Sequence, residues 1–111
     1  MGVWNVIIAV DFDGTLCELD YPNIGKPNVR LIDKLKKCKK NGDILILNTC
    51  REGELLYKAV FWLNEQGLHF DCFNRNTDER IKEYGRDCRK ISADIYIDDK
   101  AVSPLEFVKG E

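Results

Sequence analysis

Long apolar runs are missing from this chain. The longest, Val6 to Val10, is far too short to span a bilayer. No basic residue precedes it and Asp11 ends it, so a signal peptide is not expected. Gly2 follows Met1, but Val6 stands where a myristoylation signal wants Ser or Thr. Cys-x-x-Cys pairs are missing too. The five cysteines (Cys17, Cys38, Cys50, Cys72, Cys88) are odd in number and widely spaced, which excludes a disulfide scaffold and a zinc knuckle as leading readings. A reducing cytoplasm is the simplest compartment for them. An excess of one charge is lacking as well: 17 basic and 19 acidic residues give a net charge of −2, and hence no global case for nucleic acid or anionic membrane. Repeats, low-complexity tracts and Pro/Gly-rich linkers are absent. With 44% apolar and 32% charged residues, residues 1–111 read as one ordinary globular domain rather than a disordered chain.

Three short, β-rich, nearly unbroken apolar runs are present: Val6–Val10, Ile44–Leu47 and Ile95–Ile97. Their lack of period-2 alternation predicts strands buried on both faces of a parallel sheet. Phe70-Asp71-Cys72-Phe73 is a weaker fourth. Helical stripes lie between them. Leu31, Ile32, Leu35 and Cys38 form the first, stopped by Asn41-Gly42, and Leu55, Leu56, Ala59, Val60 and Leu63 form the second, stopped by Gly67. Ile81, Tyr84 and Cys88 suggest a third, N-capped by Thr77 and weakened by Gly85 inside it. Ser103-Pro104 can open a short last helix. The alternation predicts an α/β fold, three-layered and Rossmann-like, around a central parallel sheet. Right-handed crossovers predict that the first strand is central, flanked by those ending at Leu47 and Ile97.

In open α/β sheets, ligands sit beyond the carboxyl ends of the strands. Those ends carry Asp11-Phe12-Asp13-Gly14-Thr15, then Asn48-Thr49-Cys50-Arg51, and finally Asp98-Asp99-Lys100. Four carboxylates meeting at one edge repel one another unless a cation sits among them. Oxygen ligands favour a hard ion, Mg²⁺ first. Such an ion, beside a hydroxyl and basic side chains, suits phosphoryl transfer to a carboxylate. Gly14 fits a sharp turn after the strand.

Asp11-x-Asp13-Gly14-Thr15 resembles the first motif of the haloacid dehalogenase superfamily of aspartate-nucleophile phosphohydrolases. Four fixed positions recur by chance in about one such chain in a thousand. Thr49, Lys90 and Asp98-Asp99 resemble its later motifs in order, so the resemblance spans residues 5–100. It implies Asp11 as nucleophile and metal ligand, and Asp13 as general acid and base with its main-chain carbonyl on Mg²⁺. It also implies Thr49 and Lys90 on the phosphoryl group, Asp98 on the metal, and Asp99 as a further ligand or an outer contact. Gly14, Thr15, Asn48 and Arg51 are the candidate substrate-binding residues, Arg51 as a phosphate clamp. Family members with an acid two residues after the nucleophile are mostly phosphotransferases, so the resemblance argues against dehalogenation.

The chain departs from many members in two ways. The spacing from Lys90 to Asp98 is only eight residues, and Lys82, Arg86 and Arg89 compete for the lysine role. Only about a dozen residues separate Leu16 from the first helix, enough for a small flap and too few for a cap domain. The resemblance is therefore to minimal, capless members such as short phage and bacterial proteins. An open site leaves room for a homo-oligomer or a large substrate, a nucleic-acid end included, to supply the missing wall.

Each feature also has a plainer reading. Asp11 and Asp13 can be turn formers, Thr49 a helix N-cap before Glu52, and Arg51 a surface ion-pair residue. Lys34, Lys36, Lys37, Lys39 and Lys40 read as a solvated helix face, and lone His69 as structural. Cys17 and Cys50 read as small packing residues, and Trp4, Phe61 and Trp62 as core or interface. The expected function is a Mg²⁺-dependent phosphatase acting on a phosphate monoester of open class. The alternatives are a receiver-like or phospho-binding signalling module and a degenerate relative that only binds. The Asp-x-Asp-Gly-Thr spacing disfavours a receiver, whose phosphoacceptor follows a central strand.

Overall fold

The computed structural model describes residues 5–110. In chain order the elements are β1 (Ile7–Val10), α1 (Val29–Lys40), β2 (Ile44–Leu47), α2 (Gly53–Glu65), β3 (Cys72–Phe73), α3 (Asp78–Tyr84), β4 (Ile95–Ile97) and α4 (Pro104–Lys109). The strands form one parallel sheet in the order β3-β2-β1-β4, with β1 flanked by β2 and β4 as right-handed crossovers predict. Val10 is in register with Leu47 on one side and with Ile97 on the other. The residues that follow, Asp11, Asn48 and Asp98, therefore emerge at one level. The ladder continues into them: the Asp11 N–H donates to the Ile97 carbonyl and the Asn48 N–H to the Val10 carbonyl, each at 2.9 Å.

All four residues of β1 are buried. Ile8, Val10, Leu45 and Leu47 face a core with Ile32 and Leu35 of α1 and Ala59 and Leu63 of α2. Ile7, Ala9 and Ile46 face the other way, onto Cys72 and Ile91. Right-handed β-α-β crossovers account for α1 and α2 sharing a face. The opposite face is thinly covered, since neither α3 nor α4 contributes a buried residue.

Local chemistry explains the helix ends. The Asn28 side chain caps α1 by accepting the Leu31 N–H, and Lys37, Lys39 and Lys40 lie in its last turn, where the helix dipole favours cations. Helix α2 starts after Glu52 with no side-chain cap, so Thr49 is not its N-cap. Thr77 caps α3 as its position predicts, but the helix stops at left-handed Gly85 (φ 80°), and Cys88 lies beyond it. Ser103 caps α4 ahead of Pro104.

Strand β4 departs from the expectation of burial on both faces: it is an edge strand, and Ile95 and Tyr96 are exposed. Phe61 is exposed, Trp62 packs edge-on against Phe12, and Trp4 lies outside the described residues. The five cysteines are unpaired. No helix among the described residues is long and apolar enough to cross a membrane.

Candidate active site

Asp11 leaves the end of the central strand half-buried, and the Thr15 hydroxyl donates to its Oδ2 at 3.2 Å. Burial pushes the Asp11 carboxyl up from 3.8 to about 6; Asp98 and Asp99 add to the rise, while the Phe12 N–H and the Thr15 hydroxyl oppose it. One carboxylate oxygen each of Asp11, Asp98 and Asp99 lie within 4.8 Å of one another. Three of the four carboxylates expected to meet at those strand ends thus do so. The fit to a hard divalent cation rests on that all-oxygen donor set and on the repulsion the three groups exert without one.

Gly14 explains how Asp99 comes so near. Its φ is +83°, and a Cβ there would collide with Asp99 Oδ2. The Gly14 N–H donates to the Cys17 carbonyl at 3.0 Å, so this glycine shapes the turn instead of lining the cleft. Thr15 is buried, and its hydroxyl bonds Asp11 and orients that carboxylate.

Arg51 is the main correction. A phosphate clamp or a surface ion pair was expected, yet the side chain is 1% exposed. Its Nε and Nη2 each donate to one oxygen of Asp13 at 2.8 Å, Nη2 also donates to the Asn23 carbonyl, and Nη1 to the Leu55 carbonyl. The guanidinium lies between the rings of Phe12 and Tyr21, 5.0 and 5.1 Å from their centroids. The Asp13 carboxylate thus stands with Arg51, outside the group of three acids. Each Asp13 oxygen accepts one N–H from the guanidinium and keeps a further lone pair.

Thr49 lines the cleft, and its hydroxyl oxygen accepts the Arg51 N–H at 3.1 Å, leaving its own proton for an acceptor. Asn48 and Lys90 share a second cavity with Asp11 and Asp98. Lys90 is exposed, rests 5.7 Å from the Tyr96 ring centroid and makes no ion pair among the described residues. Of the four competing cations, it alone lines a cavity shared with Asp11. Cys50 is exposed and lines the first cleft, so it is no packing residue; Cys17 is one, and burial pushes its thiol up. His69 is exposed, bonds through Nδ1 to Asn64 at 2.8 Å and does not line the cleft.

Several contributors escaped the reading of the sequence. Asn74, in left-handed backbone after β3, accepts the Thr49 N–H at 2.8 Å and donates to the Arg51 carbonyl. The weaker fourth run, Phe70-Asp71-Cys72-Phe73, contains β3, and following its end as the other three were followed would have reached Asn74. Buried Asn76 donates to Asp87 and to the Cys88 carbonyl and accepts the Ser92 N–H, which fixes the loop that carries Lys90. Leu19 and Tyr21 line the cleft from the flap, and Lys100 borders it with Nζ 3.6 Å from Asp99.

Fold and site together define a Rossmann-like α/β protein with an acidic centre at the carboxyl ends of its strands. No protein-family model and no curated protein matches the chain. Among solved structures it is similar to a conserved protein from Bacteroides thetaiotaomicron, with 36% sequence identity, a TM-score of 0.78, and coverage of 94% of this chain and 86% of that one. The chain belongs to the same family as that protein.

Proposed function

We propose that this protein is a Mg²⁺-dependent phosphatase of the haloacid dehalogenase type, acting on phosphate monoesters through an aspartyl-phosphate. The observation that carries this reading is the grouping of Asp11, Asp98 and Asp99, with Asp13 and Thr49 lining the same cleft. Asp11, Asp98, Asp99 and the Asp13 main-chain carbonyl would hold Mg²⁺, which when bound supplies charge neutralisation for the transferring phosphoryl group.

An Asp11 carboxylate oxygen attacks phosphorus as the bond to the leaving oxygen breaks, and Asp13 delivers the proton that makes this oxygen an alcohol. Water then attacks the same phosphorus. Asp13 takes its proton, the acyl-phosphate bond breaks, and inorganic phosphate and free Asp11 result. Thr49 donates to a phosphoryl oxygen, and Lys90 and Asn48 approach from the adjoining cavity. Receiver-like and binding-only readings give Asp13 only its structural pairing with Arg51 and no acid–base role.

Phosphate release from a panel of monoesters tests the proposal. Turnover should require Mg²⁺, vanish with a chelator and return on adding the metal. Undiminished turnover in excess chelator excludes this mechanism.

A further inference from the structure

The cleft above Asp11 measures about 580 Å³, and beyond its acids and Thr49 it is bordered by Leu19, Tyr21, Cys50, Arg51 and Lys100. The Arg51 guanidinium lies over the Tyr21 ring, 5.1 Å from its centroid, yet the residue stays 56% exposed, which leaves ring surface away from the guanidinium open. Leu19 is also exposed beside it. Two large apolar side chains of one short flap, unneeded by the core, thus line the same cleft as Asp13, the proposed donor to the leaving group.

That side of the cleft is poor in anion-binding groups. Four of the five N–H donors of Arg51 are engaged by Asp13, Asn23 and Leu55. Lys100 already leans on Asp99. A second phosphate or carboxylate on the alcohol would find few partners there.

We infer that the alcohol of the substrate carries a planar ring, which stacks on the open face of Tyr21 against Leu19, and bears no second anionic group near the reacting phosphate. This rests on the phosphatase reading and names its substrate class. An aryl phosphate and a nucleoside monophosphate share the required chemistry. Ring stacking on an aromatic side chain is worth about 5- to 150-fold in affinity by alanine substitution.

The test compares phenyl phosphate and a nucleoside 5′-monophosphate with glycerol 2-phosphate and 3-phosphoglycerate. Binding is read by calorimetry on Asp11→Asn, which cannot turn over, and kcat/KM on the otherwise native protein. A ring-bearing ester should bind at least about 10-fold tighter than the other two. Whether the phenyl or the nucleoside ester leads identifies the ring. Adding Tyr21→Ala should erase the preference, Tyr21→Phe should keep it, and Leu19→Ala should reduce it. Equal binding of all esters, or a preference that survives Tyr21→Ala, overturns the inference. A Tyr21-dependent preference without phosphate release from any ester supports the stacking site and removes the catalytic reading. Failure of every ester to bind removes both.

Discussion

Arg51 holds both oxygens of Asp13, through Nε and Nη2 at 2.8 Å each, from a position 38 residues away in sequence. The guanidinium is sealed between Phe12 and Tyr21, and the Asp13 side chain is only 16% exposed. Asp13 therefore has a fixed place beside the cleft, and the same guanidinium ties the flap to it through the Asn23 carbonyl.

Removing Arg51 leaves a mostly buried carboxylate without its partner. Arg51→Ala should cost about 3 kcal/mol of stability, the low end for a broken buried pair because Asp13 keeps some contact with water. Arg51→Lys should recover only part of this, since an ammonium lacks the planar fork. Urea unfolding measures both: the midpoint should fall at unchanged m. An unaltered midpoint in Arg51→Ala would show that the pair contributes nothing.

In the metal-free protein, the Asp11 carboxyl is pushed up to about 6 from 3.8, so the folded state binds its proton more tightly than the unfolded chain does. The sign follows from linkage. Between these values the folded state carries the extra proton, so this group's contribution to stability is full below about pH 4 and is lost as pH rises through 6. Wild type should lose stability relative to Asp11→Asn over that interval, as read by unfolding in chelator. Protons also compete with the metal, so the apparent Mg²⁺ affinity should weaken as pH falls below about 6. A stability difference constant from pH 4 to 7 would contradict both.

Gly14→Ala meets two obstacles at once, a left-handed backbone and the Asp99 carboxylate. The backbone alone should cost about 1–2 kcal/mol. Displacement of Asp99 should lower activity beyond that cost, with weaker apparent Mg²⁺ affinity as its signature. Calorimetric Mg²⁺ titration of the variant checks this, and wild-type affinity would show that Asp99 does not bind the metal.

The sheet order and the positions of Asp11, Asn48 and Asp98 were legible because buried parallel strands read as unbroken apolar runs, and their ends hold the polar residues. Helices α1 and α2 were legible from their stripes and stop signals. Local patterning is silent on the rest. A charged Arg51 two residues after Thr49 reads as exposed, because nothing nearby announces that Asp13 and two aromatic rings will enclose it. Ile95-Tyr96-Ile97 has the composition of a central strand, yet it lies at the edge because no later strand pairs with it among the described residues. The helical stripe of Ile81 and Tyr84 carries on to Cys88 in sequence, but Gly85 takes a left-handed conformation that ends α3. Tyr21 and Leu19 reach the cleft through a flap held by backbone hydrogen bonds, such as that from the Glu18 N–H to the Lys26 carbonyl, which hydrophobic periodicity does not encode.

Rapid-quench mass spectrometry with an aryl phosphate separates the two aspartates and tests the central claim most directly. Asp11→Asn removes the nucleophile, so no phosphoenzyme should form. Asp13→Asn should still be phosphorylated, because a good leaving group needs little protonation, and the phosphoenzyme should accumulate because water lacks its base. The lost acid–base help is worth about 10²–10⁴-fold, which leaves a measurable residual rate. Phosphate carried by Asp11→Asn and not by Asp13→Asn would reverse the two roles. A wild type that neither forms the intermediate nor releases phosphate from any ester would contradict the account altogether.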